Sequence, residues 1–320
     1  MSIVSLSHSD LDGISSQIVL RAKFGEITRM NLSYGKIQEY LEILDEHCSR
    51  LRPNKVFVTD LSFSYEELKK LNEIAHYNPE VQFYFIDHHP FEENNGDYSG
   101  LILPNLKIVI SDKACATKLT MLYLKSNFGL VVSDELEKFV SYVNGYDIWQ
   151  EGTPEFKVGF VYNELFWEYK MAHFWSKFKD NYKLRAGDKE VYKDLIKKKD
   201  KLFAKLEKSG RVMKFEKRIL LIFIDTFQGH VTLDYPDFLS YVIIRSNGGV
   251  SVRLKSDAVN DGLTKNNIVQ KVLNSGYVEN AGGHHAAFGT MVTDGTAHNM
   301  VEFSKLLVTY IDEELEAINL

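Results

Sequence analysis

The stretch from Phe83 to Pro90 constrains this chain more than any other. Four bulky apolar residues, Phe83, Tyr84, Phe85 and Ile86, run straight into Asp87, His88 and His89. An apolar run of this length bounded by polar residues reads as a strand buried on both faces, the situation of strands in parallel sheets covered by helices. The tripeptide then falls at the strand's C-terminal end, the edge where open parallel sheets bind their ligands. Taken alone, it is equally well a polar turn at the surface. The weight therefore rests on whether other strands repeat the pattern.

They do. Ile3 to Ser7 reads as a strand entering His8, Asp10, Asp12 and Gly13, after which Ile14, Ile18 and Ala22 lie on one side of a helix. A helix over 33–49 carries Ile37, Tyr40, Leu41, Leu44 and Cys48 as an apolar stripe. Val56 to Thr59 is a strand ending on Asp60, and Ser64 with Glu67 forms a capping-box signature ahead of Leu68, Leu71 and Ala75. Residues 106–110 read as a strand and 113–125 as a helix. Ser133 opens a further helix with Leu136, Phe139, Val140 and Val143 on one face, and Asn144 to Trp149 reads as its exit loop, carrying Asp147. This alternation predicts an α/β fold whose N-terminal domain, residues 1–155, is a mainly parallel sheet with helices on both faces.

Residues 156–217 change character, first aromatic and then lysine-rich, and read as a helical connector with Val191, Leu195, Leu202 and Leu206 toward one side. Phe174, Trp175, Phe178 and Tyr182 lie among lysines there. Such aromatics could stack bases, although packing against a domain is the simpler expectation. Residues 218–320 form a second, smaller α/β domain, with strands at 218–224, 238–245 and 250–254, a helix near 266–273, and a last helix bearing Phe303, Leu306, Leu307, Tyr310 and Ile311.

Two domains suit 320 residues, since single cores stop growing at about 250 to 300 residues. Apolar residues at 44% and charged residues at 26% argue against disorder. Cys48 and Cys115 are the only cysteines, too few for a disulfide framework or a thiolate zinc site, which fits a reducing, cytoplasmic setting. The apolar run from Ile219 to Ile224 falls far short of a membrane span, and Asp10 and Asp12 follow too early for a secretory signal. A net charge of −6 argues against a generally basic nucleic-acid binder. Residues 176–217 nevertheless hold 15 Lys or Arg against 7 Asp or Glu, either a solvated helix face or an attraction for a polyanion.

Four separated places in the first half thus present carboxylates or imidazoles from turns: His8, Asp10 and Asp12; Asp60; Asp87, His88 and His89; and Asp147. Alternation along an extended backbone would point His8, Asp10 and Asp12 the same way. Converging carboxylates without Lys or Arg call for cations. Oxygen and imidazole donors without thiolate suit Mn²⁺ or a similar ion, and these candidate ligands are too many for one ion but enough for two. Paired ions can hold a bridging hydroxide and stabilise both oxygens of an in-line phosphoryl displacement. In the second domain Gly282 and Gly283 allow close backbone approach to an anion, His284 can donate to it, and Arg253 can clamp a phosphate bidentately.

These residues resemble the DHH phosphoesterase family over nearly the whole chain. His8, Asp10, Asp12 and Gly13 resemble its first motif, Asp60 the second, Asp87 to His89 the motif that names it, and Asp147 the fourth. Gly282, Gly283 and His284 with Arg253 resemble its C-terminal DHHA1 domain. The resemblance implies two divalent ions, Mn²⁺ by expectation: His8, Asp10 and Asp60 around one, and Asp12, Asp60, His88 and Asp147 around the other. It makes Asp87 a support for a ligand, His89 the residue facing the scissile phosphate, and Arg253, Gly282, Gly283 and His284 the binders of the terminal nucleotide. Without an added oligonucleotide-binding barrel or membrane segments, the arrangement looks most like the nanoRNase type, which degrades short RNA. A short ssDNA exonuclease, a 3′-phosphatase of adenosine bisphosphate and a non-catalytic nucleotide-binding regulator are the alternatives. The expected partners are short RNA or other nucleotide phosphoesters and no membrane, with a homodimer allowed. His285 directly after His284 departs from the family pattern.

Overall fold

Side chains alternate across a strand, so a strand buried on both faces needs helices above and below it. The computed structural model, which describes residues 2–33, 36–89, 98–101, 103–215, 219–224, 238–255, 265–282 and 287–318, meets that demand in its first unit. The chain runs β1 (Ile3–His8), α1 (Leu11–Phe24), β2 (Thr28–Leu32), α2 (Ile37–Leu51), β3 (Lys55–Thr59), α3 (Tyr65–Tyr77), β4 (Gln82–Asp87), β5 (Leu106–Ile110), α4 (Ala116–Phe128), α5 (Asp134–Asp147), α6 (Pro154–Phe178) and α7 (Ala186–Lys208). The strands form one sheet in the order β2-β1-β3-β4-β5, every neighbouring pair parallel.

Two cores follow from that alternation. On one face Ile3, Phe57, Tyr84 and Ile86 pack with Ile14 and Ile18 of α1, Leu124 of α4, Phe139 and Val143 of α5 and Phe166 of α6. On the other, Val4, Leu6, Val58, Phe83 and Phe85 meet Leu41, Leu44 and Cys48 of α2 and Leu68 and Leu71 of α3. Each such side chain, fully buried, contributes about 1.5–3 kcal/mol. The capping box that starts α3 is formed: Ser64 N–H donates to Glu67 Oε2 at 2.7 Å, and Glu67 N–H to Ser64 Oγ at 3.3 Å.

Two features differ from the sequence reading. β2 has no signature there, because this edge strand buries only Met30 and Leu32 and its remaining residues are polar. The segment 144–149 is not a loop throughout: α5 continues to Asp147, which is its last residue. A third point follows the packing expectation: Phe174, Trp175 and Phe178 are buried in the first core, with the Arg29 guanidinium 3.8 Å from the centre of the Trp175 ring, so they are not available to stack bases.

The chain divides at Glu190/Val191, within α7, into units Met1–Glu190 and Val191–Leu320. The second unit continues with β6 (Val212–Phe215), β7 (Ile219–Ile224), β8 (Ser240–Arg245), β9 (Gly249–Leu254), α8 (Lys265–Leu273), β10 (Val278–Gly282), β11 (Ala287–Val292) and α9 (Ala297–Ala317). Its sheet has the order β10-β11-β9-β8-β7-β6, with β7 and β8 parallel and the other neighbours antiparallel. Ile268 and Val272 of α8 and Phe303, Leu307 and Ile311 of α9 cover one face. Phe203 and Leu206 of α7 pack on Leu220, Ile222 and Ile243 on the other. Among the described residues no helix is long and apolar enough to cross a membrane.

Candidate metal centre

Because β1, β3 and β4 are adjacent and parallel, their C-terminal ends bring His8, Asp60 and Asp87 to one edge. Asp60 follows β3 with φ 59, a left-handed backbone that Asp tolerates better than most residues, and its N–H donates to Ile86 O at 3.2 Å. Its two oxygens face different neighbours. Oδ2 lies 4.0 Å from His8 Nδ1, and Oδ1 lies 3.4 Å from His88 Nε2.

The first motif divides between these two sides. Asp10 ends the extended backbone as the N-cap of α1, with Oδ1 accepting from Gly13 N–H at 3.0 Å and Oδ2 at 2.9 Å from His8 Nδ1. Since the helix begins at Leu11, the period of two does not persist, and Asp12 does not point with His8 and Asp10. Gly13 is required where it stands: a Cβ there would lie 2.2 Å from His8 O.

Asp12 instead meets the N-terminus of α4. Its carboxylate accepts from Ala116 N–H at 2.8 Å and Thr117 N–H at 2.9 Å, a favourable place for a negative charge. Asn144 of α5 accepts from Cys115 N–H at 3.0 Å, tying α5 to the same helix start. One turn on, Asp147 Oδ2 stands 3.4 Å from His88 Nε2, and Asp12 Oδ2 stands 3.8 Å from it. The part played by the α4 N-terminus escapes sequence reasoning because backbone N–H groups leave no residue signature.

Three clusters result, each with ligand atoms within 4.8 Å of one another: His8, Asp10 and Asp60; Asp12, His88 and Asp147; and Asp60, Asp87, His88 and His89. Asp87 Oδ1 accepts from His88 N–H and lies 2.8 Å from His89 Nδ1, so this carboxylate orients the His89 ring and the tripeptide backbone.

The electrostatics are those of crowded carboxylates. Burial, then the charges of Asp10, Asp12, Asp147 and Asp87, push the Asp60 pKa well up, and burial, then Asp12, Asp10 and Asp87, do the same to Asp147. Burial, and secondarily the His89 charge, pulls the His88 pKa down against the pull of the carboxylates, which keeps its ring nitrogen a neutral donor to metal. At His8 burial lowers the pKa, but Asp10 and the more distant Asp12 and Asp87 outweigh it and raise it overall. At Asp10 burial works upward and is overcome by His8 and the Gly13 N–H, which hold the carboxyl well below its usual range.

The residues present fit divalent metal. Among the described residues Asp60 Oδ2 and Asp147 Oδ2 are buried and accept no hydrogen bond. Among the described residues no Lys or Arg is ion-paired with Asp10, Asp12, Asp60, Asp87 or Asp147. Buried charge of one sign needs a counter-charge, and oxygen with imidazole donors sets its class.

In the second unit Arg253 lies on β9 opposite Ala287 of β11, half-buried, with Nη1 donating to Val252 O at 3.3 Å. Gly282 ends β10, paired with Gly289. Gly283, His284 and His285 lie outside the described residues. Arg245, which no sequence motif singles out, stands near Arg253: its Nη1 donates to Ser251 Oγ at 2.9 Å, and burial and the Arg253 charge lower its pKa.

With a doubly covered parallel sheet carrying this donor set at its C-terminal edge, the chain resembles the metal-dependent phosphoesterases of the DHH type. No family model matches the chain. Within that class it is similar to the oligoribonuclease NrnB of Bacillus subtilis (strain 168), 25% identical over 304 residues covering 90% of this chain and 72% of the relative. Its fold is similar to the DHH domain of a member of the s1p family of ribosomal proteins, with a TM-score of 0.63 at 16% identity, covering 95% of this chain and 86% of that one. It is also similar to RecJ from Thermus thermophilus in complex with Mn²⁺, with a TM-score of 0.60 at 14% identity, covering 98% of this chain and 52% of RecJ.

Proposed function

We propose that this protein is a cytoplasmic phosphodiesterase that hydrolyses short oligoribonucleotides to mononucleotides with two divalent ions, preferentially Mn²⁺. One observation carries the reading: the two oxygens of Asp60 face two separate donor groups, 4.0 Å from His8 and 3.4 Å from His88. His8, Asp10 and Asp60 would hold one ion, and Asp12, Asp60, His88 and Asp147 the other. When bound, the pair supplies positive charge for the phosphoryl oxygens and a hydrolytic nucleophile at neutral pH.

The chain's own groups then orient the reaction. Asp12, held by two backbone N–H groups of α4, presents a fixed charge that need not reorganise. Asp87 holds His89 through Nδ1 and aims the opposite ring edge, Nε2, at the scissile phosphate, where it donates to a phosphoryl oxygen or to the departing oxygen. Arg253, with Gly282, Gly283 and His284, takes the terminal phosphate of the strand.

The similarity to an oligoribonuclease supports RNA as substrate, and the Mn²⁺ complex of RecJ, a protein of the same fold, supports the metal. The test is turnover of RNA dinucleotides to pentanucleotides with and without Mn²⁺, beside Asp60→Ala, short ssDNA and adenosine 3′,5′-bisphosphate. Metal-dependent release of mononucleotides from RNA, absent in Asp60→Ala, is the expected result. No metal-dependent cleavage of RNA would sink the proposal, and faster turnover of ssDNA or the bisphosphate would reassign the substrate.

A further inference from the structure

Helix α7 carries a regular row of lysines that the metal centre does not use. In the part of the helix belonging to the second unit, Lys197, Lys201 and Lys205 recur every four residues and Lys208 follows three later, all exposed. Between Lys197 and Lys208 six lysines stand against two acids, Asp200 and Glu207. Glu207 is already engaged by Lys214 at 2.7 Å. Lys197 lies 3.3 Å from Asp194, but both side chains are largely in water, where such a pair is weak.

At 100° per residue the row lies on the side of the helix away from Phe203 and Leu206, which are buried against β7 and β8. Like charges four residues apart oppose helix formation, so helix stability does not account for the row. A lipid surface fits poorly, because interfacial helices need an apolar face to insert and this helix has spent its own on the protein core. The spacing fits something else. Four helical residues advance about 6 Å, comparable to the step between successive phosphates along an extended single strand. Ammonium groups bind phosphate as point charges without reading bases.

We propose that Lys197, Lys201, Lys205 and Lys208 form a track for the phosphodiester backbone of single-stranded nucleic acid. The choice of RNA as that strand rests on the function proposed above. The track makes the protein prefer oligonucleotides of several phosphates over dinucleotides and adds no base specificity.

The test uses the full chain and a Lys197→Glu, Lys201→Glu, Lys205→Glu variant, with Lys→Gln at the same positions as a milder control. Binding of a single-stranded RNA of about ten nucleotides is followed by fluorescence anisotropy without divalent metal, from about 50 to 200 mM salt. Each phosphate neutralised on a single strand contributes about 0.7 to the slope of log affinity against log salt. The charge-reversed variant should lose at least about tenfold in affinity at the low-salt end and flatten the slope by about 2. Its thermal unfolding and dinucleotide turnover should match the wild type, with the Gln variant intermediate in affinity. Unchanged affinity and slope would overturn the track, and so would an equal loss on dinucleotide turnover. Loss of binding to phosphatidylserine vesicles with RNA binding intact would overturn it in favour of a lipid surface. If the wild type cleaves no RNA from dinucleotide to pentanucleotide, the proposed activity fails, while the salt slope still decides the track.

Discussion

Asp87 and His89 are two residues apart on a backbone leaving a strand, a spacing that lets one carboxylate hold both the imidazole of one and the amide between them. His88, between them, brings its Nε2 to Asp12, Asp60 and Asp147 while its ring stays 4.4 Å from that of His89. On the proposed function, one tripeptide would thus supply a metal ligand and an imidazole held by its own carboxylate. If His89 acts on phosphate and not on metal, His89→Asn should lower kcat by about 10²–10⁴-fold. Mn²⁺ affinity, measured by calorimetric titration, should change less than about tenfold. Loss of one ion from the titration of this variant would place His89 among the ligands and contradict the division.

At the scale of elements, the positions of the strand-borne groups were legible because an apolar run that stops on Asp or His is visible in sequence, as at Phe83 to Asp87 and Val56 to Asp60. The reach of α5 was not. Asn144 and Gly145 look like a helix exit, yet Gly145 is buried inside the helix, where a Cβ would lie 2.8 Å from Glu155 Cβ. Its absent side chain serves the close packing of α5 on α6, and Gly159 of α6 serves it from the other side, with 2.0 Å between a hypothetical Cβ and Tyr142 O. A glycine needed for contact and one needed for a turn are identical in sequence; only the partner helix distinguishes them. Asp147 is carried into the centre by this contact. Gly159→Ala should therefore push the helices apart, lowering stability by about 1–3 kcal/mol in denaturant unfolding. It should also weaken Mn²⁺ binding, although Gly159 is no ligand. Full stability with unchanged metal affinity would show that the contact does not position Asp147.

For the whole molecule, two units with separate cores place all the crowded carboxylates in one of them. Asp60 and Asp147 have raised pKa values in the folded state, so over the intervening pH range the folded chain binds protons that the unfolded chain has released. Their contribution to stability is complete below the unfolded carboxyl value of about 4 and is lost as pH rises through the folded values. In chelator, therefore, the transition of the first unit should fall as pH is raised from about 5 to 8. An Asp60→Asn, Asp147→Asn double variant should lack that component. Mn²⁺ competes with the same protons, so its stabilisation should grow with pH. At a hundredfold excess over its dissociation constant it reaches about 2.7 kcal/mol. Scanning calorimetry with and without Mn²⁺ checks both statements, because the unfolding of the second unit, which holds none of these carboxylates, should stay where it is. A Mn²⁺ shift confined to the second unit, or one that shrinks as pH rises, would mean that the ion binds elsewhere than at Asp60 and Asp147.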